Sequence, residues 1–360
     1  MSGSRLALAR KLRGMSQTEL ARRVGIVPHA ISKFEKDGDG IGDEKIAEIA
    51  DVLGFDKSFF ALGEAELPES GALSFRARTK MTARSREQAR ACAWAGIELS
   101  SWMDDNYILP DVDVPDLEGV DPEGAAAAVR SAWGLGYGPI PNVVSVLEAH
   151  GIRVFSVTET SQEIDAFSFW DERTGRPYVF LTTSKSGERR RMDASHELGH
   201  IVMHRKVDLV GRSKETERDA NWFGGAFLMP REGFIEKTAR IASVKDVMRA
   251  KGFWKVSAFA VVYRAHELGL LSDWQYHNLC RTMSSRGMRT NEPMGIEPER
   301  SQVTEKIISI ERESSNGITG ISKATEIPIA DIESLTFRTP MAIVSGGGGS
   351  GFARADIRLV

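Results

Sequence analysis

His196-Glu197-Leu198-Gly199-His200 places two imidazoles and a carboxylate within five residues, and that spacing has chemical meaning only on a helix. At 100° per residue, positions four apart lie about 40° from each other on one helical face. Two imidazoles so placed can share one Zn2+, while the intervening Glu reaches the attacking water as general base. The pattern therefore predicts a helix over Met192–His204, with Glu197 as catalytic base and His196 and His200 as metal ligands.

Zinc needs a third protein ligand and an open fourth position. Downstream, Glu215-Thr-Glu217-Arg-Asp219-Ala-Asn221 falls on a second predicted helix, Lys214–Leu228, which stops at Pro230. Glu217 and Asn221 are four apart, so one face offers a carboxylate ligand and an amide able to hydrogen-bond a ligating histidine. Glu215 and Asp219 are the alternatives. His204 lies eight residues beyond His196, about 12 Å along a helix axis, too far for one ion to span both. His266-Glu-Leu-Gly269 repeats four letters of the motif, but Leu270 stands where the second His belongs, which fits a Gly-capped helix end. In the expected hydrolysis Glu197 takes a proton from water and passes it to the leaving amine. Tyr178, Tyr263 and His266 are candidate oxyanion donors. The strand Pro177–Thr183 offers an edge to which an extended peptide could add.

Around this constellation the pattern is α+β and mostly helical. Three strand-like runs, Ile152–Val157, Ile164–Trp170 and Pro177–Thr183, precede the metal-binding helix, and a short one covers Leu73–Thr79. Glu305–Ser314 and Ile321–Leu335 are further candidate helices, and Gly346–Gly351 a flexible run. Two cysteines, Cys92 and Cys280, exclude a disulfide framework or a cysteine-rich zinc ribbon and fit a reducing compartment. No apolar stretch is long enough to span a membrane and no leader is evident, so a cytoplasmic location is expected, with no membrane partner.

The first 62 residues predict a compact helical module. Ser16-Gln17-Thr18-Glu19 has the form of a capping box, Gly25-Ile26 makes a turn, and Pro28 opens the helix Pro28–Lys36. Ala21, Val24, Ile26, Ile31 and Phe34 supply a small core for two steeply crossed helices. Residues 1–36 hold eight Lys/Arg and two Asp/Glu, a local +6 against −3 for the whole chain, which suits a phosphate backbone. The spacing resembles the Xre/Cro-type helix-turn-helix domain. That resemblance implies binding to double-stranded DNA, with His29, Ser32 and Lys33 facing the major groove and Gln17 on a phosphate. It also implies an internal Arg10–Glu35 ion pair, and by analogy a homodimer.

Ser195-His-Glu-Leu-Gly-His-Ile-Val-Met-His204, followed by Glu217-Arg-Asp-Ala-Asn-Trp-Phe-Gly-Gly-Ala-Phe-Leu-Met-Pro230, resembles the ImmA/IrrE family of metallopeptidases. Val256–Arg264, His266–Tyr276 and Arg289–Pro293 extend the likeness. It implies a gluzincin-like metallopeptidase domain with a small sheet, ligands His196, His200 and Glu217, base Glu197, and zinc, with Mn2+ as an alternative. It also implies cleavage of a helix-turn-helix repressor or antitoxin in a stress response. Ser195 stands where members often carry Ala, Thr182-Thr183 where many carry Asn, and Asp219 at the second acid of the Glu-x-Glu-Ala-Asn motif. The expected domains are 1–66 for DNA binding, 73–293 for the peptidase and 298–360 for an extension of unknown role. The alternative is a DNA-binding transcriptional regulator or toxin–antitoxin component in which proteolysis is secondary.

Overall fold

The computed structural model describes residues 1–65, 67–68, 74–77, 82–157, 164–205, 214–238, 240–313, 317–338 and 358–359. The Gly346–Gly351 run lies outside them. The fold is α+β and dominated by helices, as the sequence predicts. In chain order it begins with α1 (Gly3–Leu12), α2 (Gln17–Arg23), α3 (Pro28–Asp37) and α4 (Asp43–Leu53). Next come β1 (Ser74–Ala77), α5 (Ala83–Asn106), β2 (Tyr107–Ile108), α6 (Pro122–Ala132) and α7 (Val143–Ala149). Strands β3 (Arg153–Ser156), β4 (Ile164–Asp171) and β5 (Arg176–Leu181) lead into α8 (Gly187–Met203) and α9 (Lys214–Leu228). Helices α10 (Arg231–Thr238), α11 (Val244–Trp254), α12 (Ala258–Glu267) and α13 (Asp273–Ser285) follow. The last elements are α14 (Gln302–Glu313), α15 (Gly317–Thr325), α16 (Ile329–Leu335) and β6 (Arg358–Leu359).

Two compact units emerge, residues 1–110 with 155–167 and 301–360, and residues 111–154 with 168–300. In the first unit α1–α4 close on Leu6, Leu20, Ile31, Phe34, Ile46 and Leu53, all buried. The turn between α2 and α3 is set by Gly25 at φ 67°, a left-handed conformation that costs glycine nothing. Ser16 accepts from the Glu19 amide as a helix cap, but the Glu19 carboxylate turns to Arg23 and Arg84, so only half of the expected capping box forms. Phe59 meets Trp94 of α5 edge-on, with centroids 6.0 Å apart. Gln88 of α5 donates to the Leu12 carbonyl, and Arg13, which caps the end of α1, makes a two-pronged pair with Asp331 of α16 at 2.6 and 2.8 Å. Residues 321–335, expected to be helical, are divided between α15 and α16. Glu326 has φ 56° and Pro328 brings no amide to continue the ladder.

In the second unit α8 is buried along nearly its whole length. Its N-terminal half is held by charges. Glu188 accepts from the buried Lys251 of α11 at 2.5 Å, and Glu292 meets the same ammonium at 2.7 Å. Arg191 pairs with Glu299, which also caps the α7 amides of Val143 and Val144. One flank of α8 packs on β5 and another on α9. The sheet order is β1-β4-β5-β3. This corrects the expectation of a peptide-binding edge on Pro177–Thr183, because β5 is hydrogen-bonded on both sides and buried from Pro177 to Leu181.

Candidate functional site

The site is assembled where α8 crosses α9 with a glycine of each helix at the contact. A Cβ on Gly199 would stand 3.0–3.2 Å from the Phe223 side chain, and one on Gly224 would stand 3.2 Å from the His196 nitrogen. The two glycines let the backbones approach, and that approach carries Glu217 to the histidines. Its Oε2 lies 3.5 Å from His196 Nε2, and its Oε1 lies 3.4 Å from His200 Nε2. The two Nε2 atoms are 3.0 Å apart. Among the described residues, His196, His200 and Glu217 are the group whose donor atoms all fall within 4.8 Å of one another. Glu215 and Asp219 stay outside it and meet Arg218 instead.

Two imidazole nitrogens and a carboxylate oxygen turned to one point are a donor set suited to zinc. Asn221 supplies the orientation. Its Oδ1 can only accept, so His196 Nδ1, 3.1 Å away, is the donor and Nε2 keeps its lone pair toward the cluster. The Asn221 Nδ2 donates back to the Glu217 carbonyl at 2.7 Å. His204 approaches His200 Nδ1 at 3.0 Å with its own Nδ1, one helical turn away. Burial pushes the Glu217 carboxyl up, but the contacts from His196 and His200 outweigh it and hold Glu217 well below the usual carboxylate range.

Glu197 is fully buried, and its Oε2 accepts from Ser168 Oγ on β4 at 2.7 Å. Sequence reasoning missed Ser168. It belongs to no motif, and β4 is buried on both faces around it, from Ala166 to Phe169. Tyr178 is sealed in the core, stacked on Phe169, and does not reach the site as an oxyanion donor. His266 is turned to Asp273, with Nε2 at 2.7 Å, and stacks on Tyr276. Tyr263 and Tyr276 line a cavity of about 730 Å3 that Glu217 and Asn221 also line.

In the other unit, α3 presents His29, Ser32 and Lys33 to solvent, while Ile31 and Phe34 turn inward. Gln17 is half-buried and donates to Glu35 Oε2 at 2.7 Å. The same Glu35 takes the Arg10 guanidinium at 2.6 and 2.8 Å, so the expected internal pair forms and Gln17 joins it.

Residues 147–266 match the model of the peptidase M78 family, described as the IrrE N-terminal-like domain, and residues 6–60 match that of the helix-turn-helix family. The chain joins a helix-turn-helix domain to an IrrE N-terminal-like domain. The His196–His200–Glu217 cluster, Glu197, Ser168 and Asn221 all fall within the IrrE N-terminal-like match. Uncharacterized HTH-type transcriptional regulators of Sinorhizobium medicae (strain WSM419) and Rhizobium meliloti (strain 1021) are each 38% identical over 58 residues, 16% of this chain. The chain covers 42% of the length of each of these curated relatives. No helix among the described residues is long and apolar enough to cross a membrane.

Proposed function

We propose that this chain is a zinc-dependent regulatory peptidase that binds DNA through α3 and cleaves a helix-turn-helix repressor or antitoxin. The observation that carries the reading is the convergence of His196, His200 and Glu217 within 4.8 Å beside the buried Glu197. Those three residues would hold the ion, with Mn2+ as the alternative occupant. When bound, zinc polarises a scissile carbonyl and acidifies water. Glu197 accepts a proton at its carboxylate and delivers it to the leaving nitrogen, while the Ser168 hydroxyl fixes the angle of that carboxylate. Asn221 keeps His196 in one tautomer. Tyr263 lines the cavity together with Glu217, with its phenol against the Glu267 carboxyl, and would serve a developing oxyanion only by turning away from that carboxyl.

His29, Ser32 and Lys33 would enter the major groove and set the operator, and a homodimer would read two half-sites. The relatives named as transcriptional regulators support this half of the reading. They also favour a second one, a DNA-binding regulator in which proteolysis is secondary, because their likeness covers only 58 residues.

Elemental analysis separates these possibilities. Wild type purified without a metal-affinity tag should carry about one zinc per chain, and His196→Ala and Glu217→Ala should lose it. A small repressor encoded beside this gene should then be cut by wild type and left intact by Glu197→Gln. Zinc-free wild type that takes up none would leave only the DNA-binding reading standing.

A further inference from the structure

Gly225 lies in the middle of α9, buried from bulk solvent, at a position where glycine weakens a helix by roughly 1 kcal/mol relative to alanine. Its neighbour Gly224 has an evident reason, the α8 backbone pressed against it. Gly225 has none of that kind, since a Cβ built there meets no atom within 4 Å. It faces open space, and that space is the cavity of about 730 Å3 lined also by Glu217. The missing side chain leaves room for something else.

The walls say what fits. Met192, Met229, Phe259 and the Tyr263 ring give the cavity most of its wall as apolar, adaptable surface, while charged side chains such as Arg218, Glu267 and Arg289 also line it. The volume lies within the roughly 300–1,000 Å3 typical of ligand pockets. Glu217 contributes its carboxylate to the metal cluster while lining the same cavity, so an occupant lies directly beside the reacting centre. Resting on the peptidase reading above, we propose that this cavity receives a large apolar side chain of the substrate polypeptide, flanking the scissile bond, and that Gly225 is the residue that keeps it open. Substrate choice is then set by a residue that donates no polar group. It acts by excluding its own Cβ.

The test uses two metal-chelating probes on the full-length zinc-loaded chain, acetohydroxamate and the benzyl-bearing hydroxamate of N-acetyl-phenylalanine. Dissociation constants are measured by calorimetry for wild type and for Gly225→Leu, whose isobutyl group would occupy the cavity. Wild type should bind the benzyl probe at least about tenfold more tightly than acetohydroxamate, the scale expected for a few buried methylenes. In Gly225→Leu that preference should fall to within about threefold, with zinc content and acetohydroxamate affinity retained. Thermal melting establishes that the variant folds, and Gly225→Ala, with room to spare, should keep the preference. Equal binding of both probes by zinc-loaded wild type overturns the pocket alone, as does an undiminished preference in folded Gly225→Leu. Wild type that holds no zinc overturns the peptidase reading and the pocket with it.

Discussion

Ser168 Oγ reaches from β4 to Glu197 Oε2 across 2.7 Å, so the carboxylate between the two histidines is steadied from a strand. Removing that hydroxyl should loosen the base without touching the metal donors. Ser168→Ala is expected to lower turnover of fluorescein-labelled casein about tenfold, the scale of one hydrogen bond to a charged acceptor. Zinc content should be unchanged, and Ser168→Thr should restore most of the rate. A loss of zinc together with the rate would make Ser168 part of the scaffold and not a positioning residue.

Asn221 joins His196 Nδ1 to the Glu217 carbonyl. Its replacement by Ala frees the imidazole to rotate or change tautomer. Zinc affinity should fall about 10–100-fold. A competitive titration against a fluorescent chelator reads this directly, and a change of less than twofold would leave Asn221 with only a packing role.

The crossing of α8 and α9 has no room for a methyl at Gly199, where a Cβ would meet Phe223 at 3.0–3.2 Å. Gly199→Ala should cost about 1–3 kcal/mol in chemical denaturation, because the helices must part. The same change at Gly225 should be neutral or stabilising, since it gains helix propensity and meets nothing. Opposite signs at two glycines within one helix pair form the measurable signature.

Much of this was legible in the sequence. The spacings of His196 with His200 and of Glu217 with Asn221 survive folding because each pair is local to one helix, while the meeting of the two pairs depends on how α8 and α9 pack. The α2–α3 turn was legible because Gly25 and Pro28 leave few alternatives. Ser168 was not, because strand residues acquire partners through sheet order, which no local pattern encodes. For the same reason β5 looked like a free edge and proved to be enclosed. The break between α15 and α16 is marked in the sequence by Pro328, but the apolar spacing from Ile321 to Leu335 stays helical on both sides of it and masks the signal.

Glu267 gives the fold a pH signature. Burial, above all, lifts its carboxyl above the usual range, and nearby Glu123 adds to this against the pull of Arg264 and Tyr263. A carboxyl raised in the folded state contributes stability that is present below its unfolded value, about 4.3, and lost as pH rises through the folded one. Wild type and Glu267→Gln should therefore melt alike near pH 4 and diverge as pH rises toward 7, with the variant the more stable. Parallel melting curves at every pH would show that Arg264 neutralises the group fully.

On the DNA side, Lys33 is exposed on α3 with its apolar neighbours Ile31 and Phe34 turned inward. Lys33→Ala should weaken binding to a duplex selected from genomic fragments by wild type, and flatten the slope of log affinity against log salt by about one. Fluorescence anisotropy across a salt series measures both. An unchanged slope and affinity would remove Lys33 from the interface.

The grip of α5 and α16 on the first helices has a practical side. A fragment cut after residue 62 would keep the helix-turn-helix letters but strip Phe59 of Trp94 and Arg13 of Asp331. Its newly bared aromatic face would favour self-association. The DNA reader of this chain is thus no detachable cartridge. One of its anchors, Asp331, lies 318 residues beyond the Arg13 that it holds.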